Sequence, residues 1–166
     1  MLLVEGLTVY YYTLRGIVRA VEDAGLHASE GELVAVVGES GSGKTTLGYA
    51  ILNLVPAPGR IVRGRVVVDG VEVTALRGEE LRRVRGRLVS MVFQDPFTTL
   101  DPVRRVGDQL AEVLVEHGID KREAWERVPE LLRAVGLPEH LARAYPHQLS
   151  GGQRQRVAIA AAIALR

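Results

Sequence analysis

Residues 38–45 read Gly38-Glu39-Ser40-Gly41-Ser42-Gly43-Lys44-Thr45 and match the pattern G-x-x-x-x-G-K-[ST] in full. An unbroken apolar run, Leu33 to Val37, precedes them and indicates a strand that is covered on both faces of a parallel sheet. Apolar residues then recur at helical spacing and predict a helix from Lys44 to about Asn53. A buried strand, a glycine-rich turn and a helix in this order are the setting in which the pattern binds phosphate groups.

The residue types of this loop suit a nucleotide's phosphates. Glycines let the backbone curl so that successive N–H groups face inward, where the helix N-terminus adds partial positive charge. Lys44 is expected to reach the β- and γ-phosphates, and the Thr45 hydroxyl to bind a magnesium ion that bridges them. Thr46 is expected to donate to the α-phosphate. The alternative is a glycine-rich turn that binds nothing.

The strands around the loop have two kinds of pattern. Leu2 to Tyr12 and Ile17 to Leu26 are rich in Val, Leu, Ile and Tyr, and predict an antiparallel pair. Asp69-Gly70 between two short apolar segments predicts a β-hairpin. Leu88 to Phe93 is a second continuous apolar run, so that a mixed sheet is expected.

From Arg104 onward the apolar residues follow a helical period. One stripe runs from Val106 to His117 and a second from Ala124 to Val135. Pro129 lies inside the second stripe, and is expected to kink the helix or to begin a new one. Gly136 is expected to end it.

A second pair of glycines occurs in Leu149-Ser150-Gly151-Gly152-Gln153, just before an apolar helix. Ser150 is a natural N-cap, and the glycines expose backbone donors at the helix start. Taken alone, this segment is either a plain helix cap or a second anion site.

Composition limits the possible functions. With 21 basic and 20 acidic residues the formal net charge is +1, so overall charge gives no attraction to nucleic acid or to membrane lipid. The absence of cysteine excludes disulfides, thiol catalysis and cysteine metal sites. The longest apolar run, Val157 to Leu165, is far shorter than the roughly 20 residues of a membrane-spanning helix. No nucleic-acid partner and no direct membrane insertion are expected.

Three segments in order resemble the ATP-binding cassette (ABC) family: Gly38 to Thr45, Phe93-Gln94-Asp95-Pro96, and Tyr145 to Arg156. They are similar to its Walker A loop, Q-loop and signature. The resemblance implies an α/β P-loop NTPase head. Its expected parts are a β-subdomain with the Walker A core at about 1–95, a helical subdomain at about 96–148, and the signature with its helix at 149–166.

The resemblance also implies ATP and Mg²⁺ as ligands, and two heads that dimerise head to tail. Each ATP would lie between the Walker A loop of one head and the signature of the other. Gln94 would reach the magnesium ion and the attacking water, which an amide orients but does not deprotonate. Tyr11 is expected to stack on adenine, with Tyr12 as the weaker alternative. The ATP-binding residues so implied are Gly38, Glu39, Ser40, Gly41, Ser42, Gly43, Lys44, Thr45, Thr46 and Tyr11, with Ser150, Gly151, Gly152 and Gln153 acting in trans.

Further segments are similar to oligopeptide, dipeptide and nickel importer ATPases, namely Pro56 to Val62, Phe97 to Pro102 and Tyr145-Pro146-His147. The resemblance implies an ATPase that docks on transmembrane permease subunits at the cytoplasmic face of the membrane and powers peptide import. Three residues depart from the usual Met-Thr-Ser-Leu-Asn-Pro and leave the solute open: Phe97, Thr99 and Asp101.

The family pattern continues with a Walker B strand ending in Asp-Glu, a D-loop and a switch histidine, none of which occurs in these 166 residues. A chain that ends before the Walker B strand is expected to bind ATP without efficient hydrolysis, since the Glu would be the general base. The alternatives are a nonhydrolytic nucleotide-binding module or regulatory fragment, or a soluble cassette of DNA repair or translation. The last would need tandem heads or a coiled-coil insertion, and neither is visible.

Overall fold

The computed structural model describes residues 1–95 and 99–166, which form two compact units, Met1–Val89 and Ser90–Arg166. Three predicted site-segment residues lie outside the described residues, namely Pro96 of the Q-loop segment and Phe97 and Thr98 of the importer-like segment.

The first unit is an antiparallel sheet packed against short helices. Its strands have the order β2-β1-β3-β4 in the sheet. The elements are β1 Leu2–Thr13, β2 Gly16–Ala28, α1 Lys44–Ile51, β3 Gly59–Val68, β4 Val71–Glu72, a 3₁₀ turn Val73–Ala75 and α2 Gly78–Val84.

Both predicted antiparallel pairs are confirmed. β1 and β2 pair from Leu2 opposite Ala28 to Thr13 opposite Gly16. β3 and β4 pair across Asp69-Gly70, where both residues have positive φ, 47° and 81°. Two successive positive φ values are what a two-residue type I′ hairpin turn requires, and Asp-Gly supplies them at low cost.

The two predicted parallel strands are wrong. Residues 33–37 and 90–93 lie in neither a helix nor a strand, and Val89 forms only an isolated bridge with Arg85. Leu33 is 95% exposed and Val37 87% exposed. A parallel strand needs a hydrogen-bonded neighbour, and no strand lies beside 33–37 in the described residues. The predicted mixed sheet is therefore wrong as well, since the described sheet is antiparallel throughout.

The core of the first unit lies between the sheet and α1. Leu7, Val9 and Val66 are fully buried, and Ala50 of α1 packs in the same cluster. The C-terminal end of α1 is held by Arg85, whose guanidinium donates to the carbonyl oxygens of Leu52 (2.9 Å) and Asn53 (2.6 Å). Its partial burial lowers the pKa of the Arg85 guanidinium. These bonds occupy carbonyls that have no partner inside the helix.

The second unit is helical. It contains α3 Val106–Glu116, α4 Lys121–Ala134, α5 Gly151–Ile163, and the 3₁₀ turns Glu139–Arg143 and Pro146–Gln148. Its core is built from one apolar face of each long helix, with Leu110, Leu114, Val128, Leu132 and Val157 almost fully buried. In the described ranges of the chain, no helix is both long and apolar enough to cross a membrane.

α4 continues through Pro129 as one helix, so Pro129 does not begin a new helix. The proline removes one backbone hydrogen bond, but Val128 and Leu132 beside it are fully buried, and their packing favours the helical path. The helix ends as predicted at Gly136, with φ of 68°. Gly136 donates to Arg133 and Leu137 donates to Leu132, which is the pattern of a Schellman cap.

Candidate nucleotide-binding site

The Lys44 side chain closes the glycine-rich loop. Its Nζ donates to the carbonyl oxygens of Gly38 (2.8 Å) and Glu39 (2.6 Å), and to Ser42 Oγ (3.2 Å). The Ser42 N–H donates to the Glu39 carbonyl at 3.2 Å, which forms the turn inside the loop. The ammonium group is thus held at the mouth of the loop by three acceptors of the loop itself.

Gly43 joins the loop to the sheet at a place where only glycine fits. Its φ is 89°, and a Cβ built on it would lie 2.1 Å from the Ala20 carbonyl oxygen of β2. Gly41 also has a positive φ, 83°, but a Cβ there would meet nothing within 4 Å. The motif requires glycine at position 43. The contact with Ala20 could not be predicted from the sequence, because any residue at position 20 would offer the same backbone carbonyl.

The start of α1 suits a phosphate group. The helix begins at Lys44 with Gly43 as its N-cap, and no side chain in the described residues caps it. Its first turn contains no acidic residue. The first N–H groups of a helix have no partner inside the helix and carry partial positive charge. With the Lys44 ammonium beside them, the donors present fit a phosphate, and the exposed Thr45 hydroxyl offers an oxygen to a metal ion.

The three adjacent tyrosines have different surroundings. The Tyr10 hydroxyl donates to Glu22 at 2.9 Å, and this bond raises the pKa of the Tyr10 phenol. Arg19 lies over the Tyr10 ring at 5.8 Å, and Arg60 over the Tyr12 ring at 6.0 Å. Tyr10 and Tyr12 are thus each in contact with an arginine.

Tyr11 is half-buried and packs over Gly59 of β3. A Cβ at Gly59 would lie 2.6 Å from Tyr11 Cε1, so the ring occupies the space that glycine leaves. Tyr11 also lies opposite Val18 of β2, which is two residues, roughly 7 Å, along the strand from Ala20. Because Ala20 contacts Gly43, the strand end that carries Tyr11 lies near the glycine-rich loop.

The second glycine pair begins α5 through a reciprocal cap. Ser150 Oγ accepts from the Gln153 N–H (3.3 Å), and Gln153 Oε1 accepts from the Ser150 N–H (2.9 Å). The predicted N-cap is confirmed. The Ser150 hydroxyl still has its own proton to donate, because it acts as an acceptor in this bond. A Cβ at Gly152 would meet nothing within 4 Å, so packing among the described residues does not require glycine there.

Aromatic stacking fixes the segment before this cap. The rings of Tyr145 and His147 stack with centroids 5.7 Å apart, and Arg105 lies over the Tyr145 ring at 5.8 Å. The Val106 N–H donates to the Ala144 carbonyl at 2.9 Å, which joins the start of α3 to the same segment. Sequence reasoning missed this arrangement, because Arg105 and Tyr145 are distant in sequence and follow no common motif.

Gln94 is exposed and lies in a segment that is neither helix nor strand, in the second unit. The loop with Lys44 and Thr45 belongs to the first unit, and the cap at Ser150 to the second. The loop and Tyr11 lie within one unit, and the roles of the loop, Tyr11, Gln94 and Ser150 toward ATP all stay predictions. Within the described ranges, no three His, Asp or Glu side chains form a group that could hold a metal ion.

Comparison with known proteins bears on the whole chain. The sequence profile of the ABC transporter family matches residues 21–166. The chain belongs to the ABC transporter family. Its fold class, a P-loop ATPase cassette, follows from the same finding and from the solved structures it resembles.

Curated relatives in this family are peptide-transport proteins. The oligopeptide transport ATP-binding protein OppD of Bacillus subtilis is 43% identical over 168 residues, which cover 99% of this chain and 47% of the relative. The dipeptide transport ATP-binding protein DppD of Lactococcus lactis is 40% identical over 166 residues, covering 97% and 47%. The chain spans about half the length of the curated relatives it matches.

Solved ABC cassettes share the fold. A dimeric ATP-binding cassette in a post-hydrolysis state, bound to ADP and Pi, superposes with a TM-score of 0.81 at 32% identity, covering 99% of this chain and 70% of that one. A cassette from Clostridium perfringens that is part of an ABC transporter complex has a TM-score of 0.74 at 30% identity, covering 99% and 61%.

Proposed function

We propose that this chain is the ATP-binding part of an ABC importer subunit, which couples ATP binding and hydrolysis to uptake of peptides or a related solute. The observation that carries ATP binding is the loop with Lys44 held over Gly38 and Glu39 at the start of α1. The names of the curated relatives support peptide transport. Partner permease subunits would keep the protein at the cytoplasmic face of the membrane.

In this proposal the loop residues hold the phosphates. Lys44 turns from its loop carbonyls toward the β- and γ-phosphate oxygens, which are stronger acceptors because they are charged. The helix N-terminus donates N–H groups to the same oxygens. Mg²⁺, bound through Thr45 and approached by Gln94, would neutralise charge on the phosphates. Gln94 orients the attacking water without removing its proton.

The cap at Ser150 is proposed to act on the ATP of a second head. The Ser150 hydroxyl proton and the first N–H groups of α5 are donors that suit a γ-phosphate. The open space at Gly152 supports this role, since a close-approaching ligand would explain a glycine that packing among the described residues does not need. The dimeric state of the solved cassette that holds ADP and Pi supports the head-to-tail arrangement.

The 166-residue polypeptide is proposed to bind ATP without efficient hydrolysis. Its sequence contains no Asp-Glu pair, so the acidic residue that would polarise water in this family is not among these residues.

Titration with a fluorescent ATP analogue and Mg²⁺ tests the proposed ATP binding, and a phosphate-release assay tests the proposed lack of efficient hydrolysis. Saturable binding with phosphate release at background is expected. Absence of binding by the folded protein would refute the nucleotide site. Magnesium-dependent turnover that is lost in Lys44→Ala would refute the nonhydrolytic part, because some residue among the 166 would then supply the base.

Stacking of adenine on Tyr11 is tested by Tyr11→Ala. ATP binding should weaken about tenfold, whereas tripolyphosphate binding should change less than twofold, because stacking touches only the base. Tyr12→Ala is the matched control, since the Tyr12 ring is already in contact with Arg60, and it should weaken ATP binding less than Tyr11→Ala does. Competition titrations with ATP and with tripolyphosphate give the loss of affinity for each ligand. Equal losses for ATP and tripolyphosphate would show that Tyr11 supports the loop rather than the base.

A further inference from the structure

One edge of β3 is bare over part of its length. β1 covers the other edge of β3 from Gly59 to Val68. β4 pairs only with Val67 and Val68, and in the described residues no strand lies beside the segment from Arg60 to Arg65 on that side. The next N–H along this edge, that of Val66, is satisfied by Thr74 Oγ1 at 3.2 Å. An edge of this kind presents backbone donors and acceptors that another chain can use.

A groove of about 470 Å³ runs along this segment. Residues 59–64 line one wall, and Asn53, Thr74 and Arg77 contribute to the other. The Asn53 side chain donates to the carbonyl oxygens of Val73 (3.2 Å) and Leu76 (3.3 Å), which holds the second wall in place. The volume lies within the usual range for binding clefts, roughly 300–1,000 Å³.

The charge of the groove is mostly positive. Arg60, Arg63 and Arg77 line it, against one carboxylate, Glu72. Arg63 lies 3.7 Å from Asp23, a pair in which both side chains are about three-quarters exposed, and such pairs contribute little. Arg77 donates to the backbone carbonyls of Thr74 and Leu76, which are neutral groups and leave its positive charge in place. Acidic groups are therefore the complement of this surface.

We propose that this edge binds an extended, acidic segment of a partner protein, which adds as a strand beside Arg60 to Arg63 and pairs its carboxylates with the groove arginines. Strand addition uses backbone hydrogen bonds for affinity and alternate side chains for specificity. A second copy of this chain fits poorly, because its arginines would face these arginines. A phosphate ligand would use the arginines but leave the strand edge unused.

The geometry limits the docked segment. Gly64 has φ of 88°, and a Cβ there would lie 2.4 Å from the Gly6 carbonyl oxygen. The β1–β3 register shifts between Glu5 and Thr8 and again between Thr8 and Val9, so β3 is irregular on both sides of Arg63 and no regular edge continues beyond that residue. The docked strand is thus about four residues long, or roughly 13 Å.

The experiment uses a fluorescein-labelled, capped octapeptide of alternating Val and Glu, with fluorescence anisotropy as the readout. Binding by the 166-residue protein is expected, with at least a tenfold loss in the double variant Arg60→Gln, Arg63→Gln. Arg15→Gln removes one exposed charge in the β1–β2 turn, outside the groove, and should change affinity less than twofold. A Val–Lys peptide of the same length should not bind.

Two further arms separate strand addition from charge attraction. A peptide N-methylated at every residue keeps its charge but has no backbone N–H to donate on either edge, and should bind at least tenfold more weakly. Amide hydrogen exchange at residues 60–63 should slow on peptide binding. The proposal is overturned if no peptide binds, if the N-methylated peptide binds equally well, or if tripolyphosphate displaces the peptide from these arginines at equal concentration.

Discussion

Gly43→Ala should weaken ATP binding at least a hundredfold while the β1–β2 pair stays folded. The new Cβ would lie 2.1 Å from the Ala20 carbonyl oxygen, so either the loop or β2 must move. A φ of 89° adds strain of about 1–2 kcal/mol for a residue with a side chain. A hundredfold loss corresponds to about 2.8 kcal/mol, which strain and displacement together supply. Titration with a fluorescent ATP analogue measures the loss, and far-ultraviolet circular dichroism checks the fold.

Gly41→Ala is the matched control for this variant. Gly41 has nearly the same positive φ, 83°, but a Cβ there would meet nothing within 4 Å. The Gly41→Ala variant therefore has the backbone strain without the steric clash, and its ATP affinity should fall about tenfold. If the two variants lost affinity equally, contact between the loop and Ala20 would have no part in holding the phosphate site.

The loop and its helix could be predicted from sequence because their causes are local. The glycines, Lys44 and the helical spacing after it all lie within about 15 residues, and the structure has the helix from Lys44 to Ile51. The hairpin at Asp69-Gly70 and the cap at Ser150 follow the same rule. In each case the residues that decide the conformation are neighbours in the chain.

The parallel strands could not be predicted correctly for the opposite reason. A continuous apolar run from Leu33 to Val37 indicates that its residues suit burial, but it does not supply the neighbouring strands that would cover them. The sheet that the described residues do form uses β1 to β4, which pair antiparallel. The apolar pattern indicates which structure a segment prefers. Hydrogen-bond pairing with a neighbouring strand decides whether the segment becomes part of a sheet.

The residue types of the candidate site could be predicted from the sequence, whereas the residues that pack against them could not. Lys44 and the loop glycines follow from the motif, whereas Ala20 contributes only a backbone carbonyl and Gly59 only the absence of a side chain under Tyr11. Such contributions depend on how distant strands meet, since any residue type offers a carbonyl. They become visible only once the register of β1 with β2 and β3 is known.

Lys44→Ala should weaken ATP binding at least tenfold, because it removes a charge-assisted contact of roughly 1.5–3 kcal/mol with the phosphates. It also removes three hydrogen bonds within the loop, to Gly38, Glu39 and Ser42. Part of the loss could then come from a looser loop. The measurement therefore compares tripolyphosphate and ATP titrations of the variant with those of the unchanged chain.

Ser42→Ala separates the two contributions, since it removes the 3.2 Å bond from Lys44 to Ser42 Oγ but keeps the ammonium charge. A loss of less than threefold is expected for Ser42→Ala, because the Lys44 ammonium group that would contact the phosphates is unchanged. Raising the salt concentration should weaken phosphate binding by the unchanged chain and by Ser42→Ala more than by Lys44→Ala, since the last has lost the cation. Unchanged affinity in a folded Lys44→Ala protein would refute the assignment of this loop as the phosphate site.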